Sequence, residues 1–167
     1  MNGDREMERR IHTATEWKEA VFESLTAGIS SGTGVFSILE NDLVETGLST
    51  VSGIRLLESF LSGRPGSKIR VLLRVPDMAE AKNPALAEFA NNKIGRIEFM
   101  SLPPGSSSSM RRLLVLPGCG MFATRFDHQS SEGKVCYDPV ETAEWERVFE
   151  DAWAEGERLS WTTALGL

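Results

Sequence analysis

Apolar residues recur every fourth position from Trp17 through Val21 to Leu25, with Ala20 beside them, which predicts an amphipathic helix. Thr13 followed by Glu16 has the spacing of a capping box at its start, and Gly28 is the expected stop. A turn is expected over 30–34. The short apolar run Val35 to Leu39 then reads as a buried strand ending in Glu40, Asn41 and Asp42. Ile54, Leu57, Phe60 and Leu61 share one face of a second helix, over roughly Thr50 to Leu61, closed by Gly63, Pro65 and Gly66. From Ile69 to Val75 apolar residues alternate with Lys68, Arg70 and Arg74, a strand closed by Pro76. Asn83 and Pro84 open a short third helix bearing Leu86, Phe89 and Ala90. Ile97 and Phe99 alternate in another strand.

After a serine-rich stretch, Ser106 to Ser109, expected to be a mobile surface loop, the pattern changes. Leu113 to Leu116 and Met121 to Phe126 flank Pro117 to Gly120 and predict a β-hairpin. Val135 to Tyr137 is a candidate last strand. Asp138, Pro139 and Glu141 start a final helix with Val140, Trp145, Val148, Phe149, Ala152 and Trp153 on one broad face. At helical spacing these aromatics read as core. Alternating strands and helices in the first half demand parallel pairing, and the hairpin demands antiparallel pairing. The expected fold is α/β, a mixed β-sheet flanked by helices. Residues 13–157 are expected to form one domain, after a flexible segment 1–12 and before a tail 158–167 that holds Trp161.

Composition narrows the function classes. A chain of 167 residues, 41% apolar and 25% charged, has the size and balance of one globular domain. Its net charge of -6 supplies no global field for nucleic acid or an anionic membrane, so no nucleic-acid partner is expected. No apolar run reaches the roughly 20 residues of a membrane helix. Met1 to Arg10 is polar and lacks the apolar stretch of a secretory signal, so no membrane insertion is expected and the cytoplasm is the expected compartment. Cys119 and Cys136 do not form a C-x-x-C pair, and His12 and His128 add little. They read as reduced, buried cysteines, with no metal site and no cofactor.

Several patterns carry candidate chemistry. Gly28-Ile29-Ser30-Ser31-Gly32 matches the G-x-S-x-G string, but a nucleophile elbow needs a strand before the serine and a helix after it, and here the order is reversed. The glycine-rich turn also precedes a strand, so it lacks the setting of a phosphate cradle. Glu40 and Asp42 stand at the carboxyl end of the first strand, where open α/β sheets place ligands. No third acid joins them to hold a cation. Arg112 and Arg125 lie across the predicted hairpin and are the candidate anion fork.

The run Met110-Arg111-Arg112-Leu113-Leu114-Val115-Leu116-Pro117 and the ending Phe149-Glu150-Asp151-Ala152-Trp153 carry a family likeness. Together with the β-α-β-α-β order before them, they resemble a phospholipase D-like half-domain over roughly Thr13 to Glu157. In that superfamily the strand carries His-x-Lys, four residues and Asp. Here Met110 stands at the His, Arg112 at the phosphate-binding Lys and Pro117 at the Asp, while Thr124 to Asp127 matches the Gly-Ser and Asn region only loosely. A thioether neither attacks phosphorus usefully nor shuttles a proton, whereas guanidinium still binds anions. The resemblance therefore implies no catalytic residue and a non-catalytic binding or interaction module for an unidentified protein or anionic ligand. It also implies that half-domains pair, so a homodimer is possible. The competing expectation is a phosphoester-processing enzyme that uses Arg112, Arg125 and Glu40 or Asp42.

Overall fold

The computed structural model describes residues 7–103 and 110–161. Strands β1 (Glu8–Ile11), β2 (Val35–Glu40), β3 (Lys68–Leu73), β4 (Ile97–Ser101), β5 (Leu113–Leu116), β6 (Phe122–Arg125), β7 (Gly133–Cys136) and β8 (Glu157–Leu159) form one sheet. Their order across it is β1-β7-β6-β5-β2-β3-β4-β8. β2, β3 and β4 pair in parallel, and every other neighbour pairs antiparallel. The helices are α1 (Ala14–Ser31), α2 (Val51–Gly63), α3 (Ala79–Lys82), α4 (Pro84–Asn91) and α5 (Pro139–Glu155), with a 3-10 turn at Val44–Thr46. This is the expected α/β fold with a mixed sheet between helices.

The strand period of two sorts side chains onto two faces. On one face Phe36, Ile38, Ile69, Val71, Phe99, Val115 and Ala123 pack beneath Trp17, Val21 and Leu25 of α1, Leu57 and Phe60 of α2, and Leu86 and Phe89 of α4. On the other, Leu39, Leu72, Leu114, Leu116 and Phe122 pack against Phe149 of α5. One helix cannot cover eight strands, so much of this second face carries charged side chains instead: Arg10, Lys134, Arg70 and Arg158 by register. That asymmetry positions the sites described below.

Local signals explain most boundaries. Thr13 Oγ1 accepts from the Glu16 amide at 3.1 Å, and Glu16 reaches back to the His12 amide at 3.2 Å. Asp138 caps α5 by accepting from the Val140 amide at 3.0 Å. α1 does not stop at Gly28. That glycine is buried inside the helix, where an added Cβ would lie 3.3 Å from the Phe60 ring, so it serves close helix packing. The stop is Gly32, in the left-handed conformation with φ 65°.

The domain is wider than residues 13–157. β1 pairs with β7 within the segment expected to be flexible, and Ile11 is buried. β8 pairs with β4, and Trp161 stacks on Phe99 with ring centroids 4.0 Å apart, within the segment expected to be a tail. Both are edge strands whose backbone bonds need no apolar alternation, so their sequences gave no signal. The remaining residues of those two segments, 1–6 and 162–167, and the serine-rich stretch within 104–109 lie outside the described residues. α5 is also less apolar in its contacts than expected. Phe149 is fully buried, Trp145 and Trp153 are half-buried, and Val140 is 69% exposed. Cys136 is buried and Cys119 half-buried, both as free thiols. Among the described residues no helix is long and apolar enough to cross a membrane.

Candidate anion-binding site

The hairpin register decides which arginines meet. Leu113 pairs with Arg125, so Arg112 stands across from Phe126 and projects to the opposite face from Arg125. The expected Arg112–Arg125 fork does not form. Adjacent strand residues point to opposite faces, and the pairing is offset by one residue from the one such a fork needs.

Arg125 lies on the α1 face with its side chain 4% exposed and its donors used. Its Nη1 pairs with Glu45 at 3.0 Å, its Nε donates to the Ser130 carbonyl at 2.7 Å, and its Nη2 donates to Ser131 Oγ at 3.3 Å. The guanidinium lies 5.9 Å from the Trp17 ring centroid. Glu40 is buried on the same face, accepting from Trp17 Nε1 at 3.0 Å and from the Asn41 amide at 2.5 Å. Burial raises its pKa to about 7 against the lowering effect of those two bonds and of Arg125. Asp42 is taken up by Lys82 at 3.2 Å and the Val44 amide at 3.1 Å. Glu40 and Asp42 therefore do not converge with Arg112. Among the described residues no three His, Cys, Asp or Glu side chains come together to hold a metal ion.

Arg112 lies on the α5 face. Its guanidinium carbon is 4.6 Å from the Trp145 ring centroid and 5.2 Å from that of Phe126. Among the described residues it has no ion pair or hydrogen bond, and its buried Nη1 is unpartnered. Burial lowers its pKa and Glu141 opposes that, but an arginine starts so far above neutrality that it keeps its charge. Arg10 of β1 lies 5.2 Å from the same Phe126 ring, also without an ion pair among the described residues. Lys134, beside Arg10 in the register, is satisfied by Glu8 at 3.0 Å and Glu141 at 2.9 Å. Two cations with no paired carboxylate thus share one ring.

The adjoining rim, where β2 and β3 end, adds further basic groups. Arg74 donates to the Met110 carbonyl, Arg111 pairs with Asp127 at 2.6 Å, and the His128 amide donates to the Arg111 carbonyl at 2.7 Å. Burial and then Arg74 push the His128 pKa down. The Met110 side chain packs against the α5-side core. Pro117 is buried at the far end of β5, so the three motif positions span the whole strand. Ser30 sits exposed in the last turn of α1, with no elbow around it. Arg10 and Phe126 were missed by sequence reasoning. Counting residue parity outward from the hairpin turn would have found Phe126, but Arg10 arrives through the unrecognised strand β1.

No family model and no curated protein matches the chain. Among solved structures, it is similar to TrmBL2, an archaeal chromatin protein described as showing a novel mode of DNA binding, with a TM-score of 0.63 and 14% identity. The match covers 92% of this chain and 55% of that one, so the chain spans about half the length of TrmBL2. At that identity the likeness shows the fold alone. The expectation that nucleic acid is no partner is therefore withdrawn: the fold is one that a DNA-binding chromatin protein also has, so it gives no ground for that exclusion. The physical error lay in reading a local contact from net charge. An overall balance of -6 coexists with Arg10, Arg74, Arg111 and Arg112 in one region.

Proposed function

We propose that the chain is a non-catalytic binding domain of phospholipase D-like architecture that holds a phosphoryl-type anion at Arg112. One observation carries this reading: a guanidinium fixed between Trp145 and Phe126 with no anionic partner among the described residues. Stacking restrains the side chain, so less entropy is lost when an anion takes its free donors. Arg10, on the same ring, adds a second positive charge. The phospholipase D-like part is supported by the parallel β2–β4 block followed by the antiparallel β5–β7 block and α5, with Met110 to Pro117 running along β5. Met110 at the nucleophile position supports binding without turnover. The enzyme reading is weakened by geometry, because Glu40 and Arg125 lie on the other face of the sheet from Arg112.

The phosphoryl group belongs either to a small molecule or to a nucleic-acid backbone, and the likeness to TrmBL2 favours testing the second. Calorimetric titration with inorganic pyrophosphate, a short single-stranded oligonucleotide and its duplex separates the two. Binding weakened about tenfold or more by Arg112→Gln, as loss of a charged hydrogen bond implies, is the expected result. Pyrophosphate binding alone assigns a small phosphoryl ligand, and oligonucleotide binding with a steep salt dependence assigns the backbone. Binding of neither, or binding indifferent to Arg112→Gln, would refute the reading.

A further inference from the structure

We propose that the cavity between α5 and strands β2 and β3 binds a small organic cation, with Glu146 as its counter-ion. The cavity holds about 450 Å³, within the size of small-molecule sites. It lies on the β3 side of α5, whereas Arg112 stands at the β5–β6 hairpin. Leu116 and Phe149 give it an apolar floor, and Val35, 41% exposed, stands at its mouth.

Charge accounting fixes the sign of the ligand. Two cations, Lys68 and Arg70, face three carboxylates, Glu98, Glu146 and Glu150. Lys68 pairs with Glu98 at 3.4 Å. Arg70 is fully committed: its Nε donates to Ser37 Oγ at 3.0 Å, and its Nη1 and Nη2 grip Glu150 at 3.0 and 2.5 Å. The guanidinium also lies 5.1 Å from the Phe149 ring centroid and 5.4 Å from that of Trp153, which holds it in place. Glu146 is left over. It is half-buried on the cavity wall and has no hydrogen bond or ion pair among the described residues. Burial, then the neighbouring Glu150, pushes its pKa up, in keeping with a missing counter-charge. An incoming anion would find both cations spent and a carboxylate in excess. An ammonium group pairs with Glu146, and a short apolar body fills the space against Leu116 and Val35.

Backbone amide shifts in an NMR titration test this with three probes of equal length: n-pentylammonium, pentanol and pentanoate. The expected result is saturable shifts around Val35, Gly118 and Glu146 with the ammonium alone. Glu146→Gln should weaken that binding by about tenfold or more. Glu144→Gln, exposed on the same helix, should change it by less than about twofold. Equal binding of pentanol, preferential binding of pentanoate, no saturable shift, or ammonium binding unaffected by Glu146→Gln would each overturn the proposal. The probe series uses the unaltered chain, so the test stands even if the variant is unstable.

Discussion

Arg112 and Arg125 have the same chemistry and opposite circumstances, which makes their substitutions separable. Arg125→Met strips Glu45 of its partner and leaves the Ser130 carbonyl without a donor, so it should cost roughly 2 kcal/mol or more in urea unfolding. It should leave anion affinity unchanged. Arg112→Gln loses only ring contacts, and its stability should fall by less than about 1 kcal/mol. Glu40 supplies a pH test. Its folded pKa of about 7 lies above its ordinary value of 4.5, so the fold favours the neutral carboxyl. That contribution is complete below pH 4.5 and is lost as pH rises through 7, at a total of about 3 kcal/mol. Glu40→Gln should therefore flatten the fall in stability between those pH values. An unchanged slope would show that Glu40 is not the buried titrating group. At this scale the sequence singled out two arginines, and the register places them on opposite faces of the sheet. Residue type marks a cation, but only the register, one residue either way, decides which face it serves.

Among the elements, those with their own hydrophobic period were legible and those lacking one were not. α1, α2, the β5–β6 hairpin and α5 carry stripes, caps or turn residues that act locally. β1, Glu-Arg-Arg-Ile, has one buried side chain in four, and β8 has none fully buried, because each lies at a sheet edge and is held by backbone bonds. The prediction that separates a strand from a flexible leader is Ile11→Ala. Its side chain is 1% exposed, so truncation should cost about 2–4 kcal/mol in chemical denaturation, where a flexible leader would give no change. The end of α1 shows the complementary failure. Gly28 looked like a stop because glycine is a helix breaker by propensity, but contact with Phe60 selects it there. Thr13→Ala, which removes the bond to the Glu16 amide, should cost about 1 kcal/mol.

Across the whole molecule, the helices divide unequally between the faces of the sheet: α1, α2, α4 and the one-turn α3 pack on one face, and α5 alone crosses the other. The covered face is core, with Glu40 and Arg125 sealed inside it. The sparsely covered face keeps charged strand residues half-exposed beside aromatic side chains of α5, and both proposed binding sites lie there. The sequence showed a mixed sheet and surplus aromatics, but the division of helices between faces depends on long-range packing that no local pattern encodes. Net charge misled for the same reason, because it averages over a surface whose cations are grouped. Incubating the chain with a simple phosphodiester, bis(p-nitrophenyl) phosphate, and following binding and nitrophenolate release together separates a binding domain from an enzyme. The expected result is saturable binding, weakened about tenfold or more by Arg112→Gln, with no release above the buffer rate. Release that Arg112→Gln abolishes, or binding that Arg112→Gln leaves intact, would contradict it.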